Sequence, residues 1–152
     1  MSAPAIRRAS LTDLPALAVL FDAYRQFYAQ APDLPRAHAF LAERLTKHEA
    51  ILFLAENADG AALGFCQLYP SWCSVLAGPI YVLYDLYVGK DARQHGVGRA
   101  LLEAAAAHAR AEGVARLDLS TAKTNLPAQA LYASQGWQRD DIFYTYHLDI
   151  TP

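Results

Sequence analysis

The sequence has little cysteine and little net charge. It contains only two cysteines, Cys66 and Cys73, in 152 residues. These are too few for the disulfide framework of a small secreted protein, and they lack the spacing with histidine of a zinc site. Thirteen Lys and Arg against 15 Asp and Glu give a net charge of -2, so no basic field attracts a nucleic acid. We expect a cytoplasmic protein that binds no metal and no nucleic acid.

The sequence also lacks an uninterrupted hydrophobic run. Residues 60–84 carry no charge, and that length would suffice for one membrane span. Pro70, Gly78 and Pro79 interrupt the stretch, and such residues favour strands separated by turns. We therefore expect no association with a membrane.

The composition is that of a compact globular protein. Hydrophobic residues make up 54% of the chain and charged residues 18%, and no repeat, low-complexity segment or linker divides it. A chain of this length buries enough surface to fold without disulfides or a structural metal. We predict a single domain over residues 1–152.

The order of apolar patterns and turn residues predicts the fold class. Strands are predicted at 5–9, 51–56, 63–69, 80–88, 116–121 and 142–149, and helices at 12–30, 35–48, 96–112 and 127–135. This order is α/β, in the mixed α+β sense, because the regular strand–helix repetition of a doubly wound sheet is missing. We expect a central mixed, mostly antiparallel sheet with helices on both faces.

A glycine-containing turn between the strand ending at Val88 and the next helix is the most informative segment. Its residues are Arg93, Gln94, His95, Gly96, Val97, Gly98 and Arg99. A helix N-terminus offers unpaired N–H groups and a partial positive charge, and glycine allows a ligand to approach the backbone closely. The turn therefore predicts an anion site suited to a pyrophosphate, with Arg93 and Arg99 able to add charge-assisted contacts.

Three nucleotide-type ligands could use such a turn. A P-loop requires Gly-Lys-Ser/Thr at the helix entrance, which the sequence lacks. A dinucleotide-binding turn requires a third glycine where Leu101 stands, although Asp118 lies where the ribose-binding acid would be expected. The third candidate is coenzyme A.

The pattern from Arg93 to Gly98 resembles the pyrophosphate loop of the GNAT superfamily of N-acetyltransferases. Two further segments resemble the same family. Leu119-Ser120-Thr121, Asn125, Ala130-Leu131-Tyr132 and Gly136-Trp137 are similar to its following strand and helix, and Tyr84-Asp85-Leu86-Tyr87-Val88 is similar to the strand that enters the loop. The last match is to the diamine and polyamine branch and to yeast-type protein and amine acetyltransferases.

The resemblance implies acetyl-CoA as cosubstrate and a splayed strand pair at the cofactor site. Backbone groups of Leu86, Tyr87 and Val88 would then pair with the pantetheine arm, and Asn125 and Tyr132 would face the coenzyme. Asn125 also has a purely local interpretation, because it can cap the helix that follows it. The family usually has a proline where Lys90 stands.

Acetyl transfer to an amine requires a neutral amine and an acid for the departing thiolate. By resemblance, Tyr132 is the candidate acid and Asp85 the candidate partner of the substrate's ammonium. The alternatives are a packed tyrosine and a buried carboxylate held by hydrogen bonds. The polyamine enzymes have a glutamate where Tyr84 stands, so Asp85 or water would replace it as base.

The first functional hypothesis is an acetyl-CoA-dependent N-acetyltransferase acting on a primary amine by direct attack in a ternary complex. The acceptor would be a small molecule or peptide, such as a polyamine, a lysine-like amine or a basic protein tail. The alternatives are a CoA-binding regulatory module without catalysis and a dinucleotide-binding oxidoreductase. The sequence leaves the oligomeric state open, with a homodimer among the alternatives.

Overall fold

The computed structural model describes residues 2–151 of the chain. These residues form two compact units, one up to Ser120 and one from Thr121 onward. The sheet and most helices belong to the first unit, which also contains the glycine turn. The second unit contains one helix.

The first unit is built on a five-stranded sheet in the order β1-β2-β3-β4-β5. Its strands are β1 Ala5–Arg8, β2 Ile51–Glu56, β3 Ala62–Cys73, β4 Gly78–Val88 and β5 Leu117–Asp118. The first four strands pair antiparallel, and β5 pairs parallel to β4. The predicted mixed, mostly antiparallel sheet is confirmed.

Three helices of the first unit cover both faces of the sheet. They are α1 Leu14–Phe27, α2 Leu34–Thr46 and α3 Val97–Glu112. On one face the ring of Phe21 from α1 meets Phe65 of β3, with centroids 6.2 Å apart. On the other face the thiol of Cys66 lies 3.9 Å from the Leu101 carbonyl of α3, because consecutive strand residues point to opposite faces. None of the helices within residues 2–151 is long and apolar enough to cross a membrane.

The first helix is shorter than the pattern predicted. A 3-10 turn, Leu11–Asp13, precedes it, and the Asp13 carboxylate accepts the backbone N–H of Ser10 at 2.9 Å. Ser10 and Asp13 therefore form the cap at the start of this segment. The second helix begins as predicted, with the Asp33 carboxylate accepting the N–H of Arg36 at 3.1 Å.

The hairpin formed by β3 and β4 extends further than predicted. The sequence placed a turn over residues 70–79, whereas Pro70 pairs with Tyr81 and Pro79 with Trp72 in the sheet. Strand β2 reaches only Leu68, so Pro70 lies in the two-stranded part of the hairpin. A residue without an N–H is tolerated there because no further strand needs its hydrogen bond.

The C-terminal part differs most from the prediction. Helix α4 spans Leu126–Ser134, close to the predicted 127–135, but β5 is only two residues long. The strand predicted at 142–149 is wrong, since residues 142–151 carry no strand. The amides of Ile142 and Phe143 instead donate to the Asp140 carboxylate, at 2.8 and 3.2 Å. Alternating hydrophobicity defines the faces of a strand but supplies no pairing partner.

Candidate active site

The glycine turn connects the end of β4 to the start of α3. A 3-10 turn, Lys90–Ala92, follows β4, and the chain then takes left-handed conformations at Gln94, with φ 67°, and Gly96, with φ 79°. The amide of Ala100 donates the first bond of α3 to the Gly96 carbonyl, at 3.0 Å. The amides of Val97 and Gly98 therefore precede the hydrogen-bonded ladder of the helix. A 16-residue helix adds a partial positive charge there, so this end of α3 suits an anion.

Arg93 connects the turn to the end of β4 through its side chain. Its Nε donates to the Val88 carbonyl at 3.0 Å, and its guanidinium lies 5.6 Å from the centroid of the Tyr87 ring. The contact with a diphosphate expected for Arg93 stays a prediction, as does that of Arg99. His95 is exposed. Lys90 occupies the first position of the 3-10 turn, where proline is also favoured in helical turns.

Strand β4 has an open edge on the side away from β3. Strand β5 pairs only with Tyr81 and Val82, and no other strand up to Ser120 borders β4 on that side. The amide of Gly89 donates to Leu63 of the β3 side at 2.8 Å. Because backbone groups alternate along an antiparallel strand, those of Leu86 and Val88 face the open edge. This is the splayed strand pair that the sequence predicted.

Asp85 lies on the face of β4 that α1 covers. Its side chain is buried, with 3% relative exposure, and its Oδ2 accepts a hydrogen bond from Gln67 Nε2 at 2.5 Å. Burial raises the pKa of the Asp85 carboxyl above its ordinary value, while hydrogen bonds from Gln67 and Tyr24 lower it in part. No ion pair joins Asp85 to a cation within residues 2–151. The carboxylate is therefore held by neutral groups.

Tyrosines surround Asp85. The Tyr24 hydroxyl donates to the Tyr84 carbonyl at 3.2 Å, next to a bulge in the pairing of β3 with β4. The rings of Tyr69 and Tyr84 lie 5.6 Å apart, and Tyr84 is 65% exposed. Burial and the charge of Asp85 raise the pKa of the Tyr24 and Tyr69 hydroxyls, so these groups stay protonated. We refer to Asp85, Gln67, Tyr24, Tyr69 and Tyr84 as the Asp85 cluster.

Sequence reasoning missed three residues that shape this region. Gln67 stands in an apolar stretch of the sequence, and the pairing of β3 with β4 sets it opposite Asp85. Tyr24 comes from α1, and no local pattern connects it with Asp85. A Cβ at Gly64 would lie 2.6 Å from the Tyr87 carbonyl oxygen and 3.4 Å from Val97 Cγ1. Gly64 thus allows β3, β4 and the start of α3 to pack closely.

The second unit contains the remaining candidate residues. Asn125 caps α4, because its Oδ1 accepts the amide of Ala128 at 3.3 Å, which confirms the local role given to it. Tyr132 is half-buried on α4, and its ring centroid lies 6.0 Å from that of Trp137. The roles of Asn125 and Tyr132 toward the coenzyme stay predictions.

Known proteins match this chain over most of its length. The sequence profile of the acetyltransferase (GNAT) family matches residues 16–137. The uncharacterized N-acetyltransferase YhfO of Bacillus subtilis (strain 168) is 43% identical over 145 residues, covering 95% of this chain and 97% of that protein. The crystal structure of a probable acetyltransferase has a TM-score of 0.92 at 37% identity, covering 97% of this chain and 99% of that one.

A more distant structure shares the fold and has a bound ligand. AAC(6')-Iy in complex with the bisubstrate analog CoA-S-monomethyl-acetylneamine has a TM-score of 0.80 at 22% identity, covering 97% of this chain and 99% of that one. The fold and these relatives together define an acetyl-CoA-dependent acyltransferase. The chain belongs to the acetyltransferase (GNAT) family. The regulatory-module and oxidoreductase alternatives are not favoured by these matches.

Proposed function

We propose that the protein moves the acetyl group of acetyl-CoA to the primary amine of a cationic acceptor by direct attack in a ternary complex. The observation that carries this proposal is Asp85, a buried carboxylate to which no cation among residues 2–151 is paired, directly before Leu86 at the open edge of β4. A buried charge without a counter-charge destabilises a fold. If Asp85 binds the ammonium of the acceptor, its buried carboxylate gains a counter-charge when the substrate is bound.

Residues of the first unit would hold the cosubstrate. The amides of Gly96, Val97 and Gly98 at the start of α3 suit the diphosphate. The backbone groups of Leu86 and Val88 at the open edge of β4 suit the amide groups of the pantetheine arm and the thioester carbonyl. Support comes from the fold shared with AAC(6')-Iy, whose bound analog contains CoA.

Two side chains would handle the protons. Asp85 orients the ammonium and accepts a proton from it, directly or through water, and its raised pKa makes it a stronger base than an exposed carboxylate. The neutral amine attacks the thioester carbon, the new C–N bond forms and the C–S bond breaks. Tyr132 donates its phenolic proton to the thiolate, the amide nitrogen loses its extra proton to water, and Tyr132 regains a proton from solvent. With Tyr84 in place of the glutamate of the polyamine branch, Asp85 is the base that this strand supplies.

The acceptor belongs to the polyamines, lysine-like small amines or basic protein tails, as in the diamine and polyamine or yeast-type branch. The analog bound to AAC(6')-Iy is named as an acetylneamine derivative, so aminoglycosides enter the test as well. We further propose a cytoplasmic enzyme whose 152 residues form one catalytic domain, with a homodimer as the alternative to a monomer.

The decisive experiment measures thiol release from acetyl-CoA with a panel of amines. The panel contains spermidine, a lysine analogue, an aminoglycoside and a histone-tail peptide, and mass spectrometry identifies the acetylated product. We expect at least one amine to release thiol above the hydrolysis background. Asp59→Asn, in an exposed turn, is the matched control for Asp85→Asn. Acetyl-CoA binding without transfer to any amine would contradict the proposal.

A further inference from the structure

Gln67 is the most completely buried polar side chain of the Asp85 cluster. It lies on β3 opposite Asp85 and has 0% relative exposure. Its Nε2 donates to Asp85 Oδ2, whereas its Oε1 is buried and has no hydrogen-bond partner within residues 2–151. An unpaired buried carbonyl is unfavourable for folding and is rare in native proteins. This one therefore requires an explanation beyond packing.

Two hydrogen-bond acceptors, Gln67 Oε1 and the Asp85 carboxylate, lie on paired residues of β3 and β4. Gln67 Nε2 donates to Asp85. The Tyr24 hydroxyl donates to the Tyr84 carbonyl and is close enough to Asp85 to lower the pKa of that carboxyl. Neither donor reaches Gln67 Oε1 within residues 2–151. A primary ammonium has three N–H donors and no acceptor, so it is complementary to this arrangement.

We propose that Gln67 is a positioning residue for the acceptor amine, whose Nε2 holds the Asp85 carboxylate in place and whose Oε1 accepts an N–H of the acceptor's ammonium. The inference rests on the proposed function, because it takes Asp85 as the amine site. It also adds a specificity rule. A primary ammonium has enough N–H donors to serve Asp85 and Gln67 at the same time, whereas a tertiary ammonium, with a single N–H, can serve only one of them.

Two substitutions separate the donor from the acceptor role of Gln67. Gln67→Met is unbranched, has a similar volume and removes both polar groups. Gln67→Glu replaces the amide donor with a second carboxyl group, which keeps acceptor oxygens and places a like-charged group beside Asp85, further disfavouring its ionisation. The matched control is Cys66→Ala, because Cys66 is the neighbouring residue on β3, is equally buried and faces α3 on the other side of the sheet.

The first experiment measures the binding of n-butylamine and of N,N-dimethylbutylamine to the full chain at pH 7. Binding is monitored by NMR titration in the absence of acetyl-CoA. We expect the wild type and Cys66→Ala to prefer the primary amine. Gln67→Met should bind n-butylamine about tenfold or more weakly, since a hydrogen bond to a charged group is lost, and should lose the preference. Equal binding by Gln67→Met and the wild type would overturn the inference, as would a wild type that binds neither amine.

The second measurement follows n-butylamine binding as the pH is lowered. The titratable groups facing Asp85 are Tyr24 from α1 and Tyr69 from β3, with Arg44 of α2 acting on Tyr69. Of these groups, only the carboxyl of Asp85 becomes protonated as the pH is lowered, because the tyrosines and the arginine are already protonated at neutral pH. The hydrogen bond from Gln67 lowers the pKa of Asp85, so binding should be lost at a higher pH in Gln67→Glu than in the wild type. If Gln67→Glu and the wild type lost n-butylamine binding at the same pH, the donor role of Gln67 would be overturned. This test holds even if Gln67→Met does not fold.

These outcomes are independent of catalysis. If amine binding depends on Gln67 but no amine of the panel is acetylated, the positioning role stands and the proposed function fails. If amines are acetylated while every Gln67 variant binds n-butylamine like the wild type, the proposed function stands and the positioning role fails.

Discussion

At the scale of single residues, the important feature is a carboxylate whose environment favours its neutral form. Asp85 is enclosed by an amide and by tyrosines, and no cation is paired with it within residues 2–151. Such a group destabilises the fold at neutral pH but is suited to bind an ammonium or to accept its proton. At position 85 a neutral side chain would therefore favour stability, whereas a carboxylate would favour activity.

Replacing Asp85 should separate these two effects. The pKa of Asp85 is raised above 3.8 in the folded protein, so the folded state holds more protons than the unfolded state and stability decreases as the pH rises through that interval. We expect Asp85→Asn to melt at a higher temperature than the wild type at pH 7, by about 2 to 4 °C for each kcal/mol recovered. The gain should vanish below about pH 3.8.

The same substitution should lower turnover with the best amine of the panel by about 10² to 10⁴, the range for a positioned base. Asp59→Asn should change neither quantity. A lower melting temperature for Asp85→Asn at pH 7 would contradict the view that the carboxylate is unfavourably buried.

Tyr132 gives a second prediction at this scale. As the acid that protonates the departing thiolate, its phenol should be needed for chemistry but not for binding. Tyr132→Phe should lower turnover by about 10² to 10⁴ and leave the dissociation constant of acetyl-CoA within about twofold of the wild-type value. Steady-state rates with a chemistry-limited amine, together with calorimetric titration, would check this. Undiminished turnover would remove Tyr132 from the mechanism.

At the scale of structural elements, the site depends on how closely β3, β4 and α3 approach one another. Strand β4 provides the Asp85 cluster on one face and an open backbone edge after Val82. Eight residues lie between the end of β4 and the start of α3, and Val97 at the start of α3 packs near Gly64 of β3. The position of the amides at the start of α3 relative to the open edge thus depends on a glycine of a neighbouring strand.

Gly64→Ala should test this dependence. The added Cβ would lie 2.6 Å from the Tyr87 carbonyl oxygen, and because that neighbour is backbone, β4 must shift. We expect a loss of stability of about 1 to 3 kcal/mol and weaker binding of acetyl-CoA. Gly78→Ala is the matched control, because its Cβ would have no neighbour closer than the Leu76 carbonyl oxygen at 3.8 Å. Thermal melting and calorimetry would check both variants, and equal behaviour would refute the packing argument.

At the scale of the whole molecule, the net charge of -2 means that the attraction of an anionic cosubstrate is local. We expect it to arise from the start of α3 and the arginines of the turn rather than from the surface as a whole. The first unit contains both this anion site and the Asp85 cluster, so cosubstrate binding should stabilise the folded chain.

Thermal melting with ligands tests this expectation. Acetyl-CoA at about 100 times its dissociation constant should stabilise the protein by about 2.7 kcal/mol, and the shift should shrink as salt is added because charge-assisted contacts are screened. NAD at the same concentration is the control and should produce no shift. A shift with NAD and none with acetyl-CoA would contradict the assignment of the turn.

The elements that could be predicted from sequence are those set by local signals. The start of α2 follows from the Asp33 cap, and the limits of α3 follow from Gly96 and Gly113, both in left-handed conformations. The end of α1 was missed because Ala29, a residue that gives no stop signal, takes the left-handed conformation there, with φ 64°. The length of the β3–β4 hairpin was missed because strand pairing, rather than local residues, sets it. The strand at 142–149 was predicted from alternation alone, which defines faces but no partner.

The order of the elements up to α4, the glycine turn at the start of α3 and the resemblance to the GNAT superfamily could be read from the sequence, because each depends on residues close together in the chain. The groups that meet at Asp85 are known only from the folded structure. Gln67 lies 18 residues away and Tyr24 lies 61 residues away. Their contacts follow from strand register and helix packing, which are cooperative properties of the folded sheet.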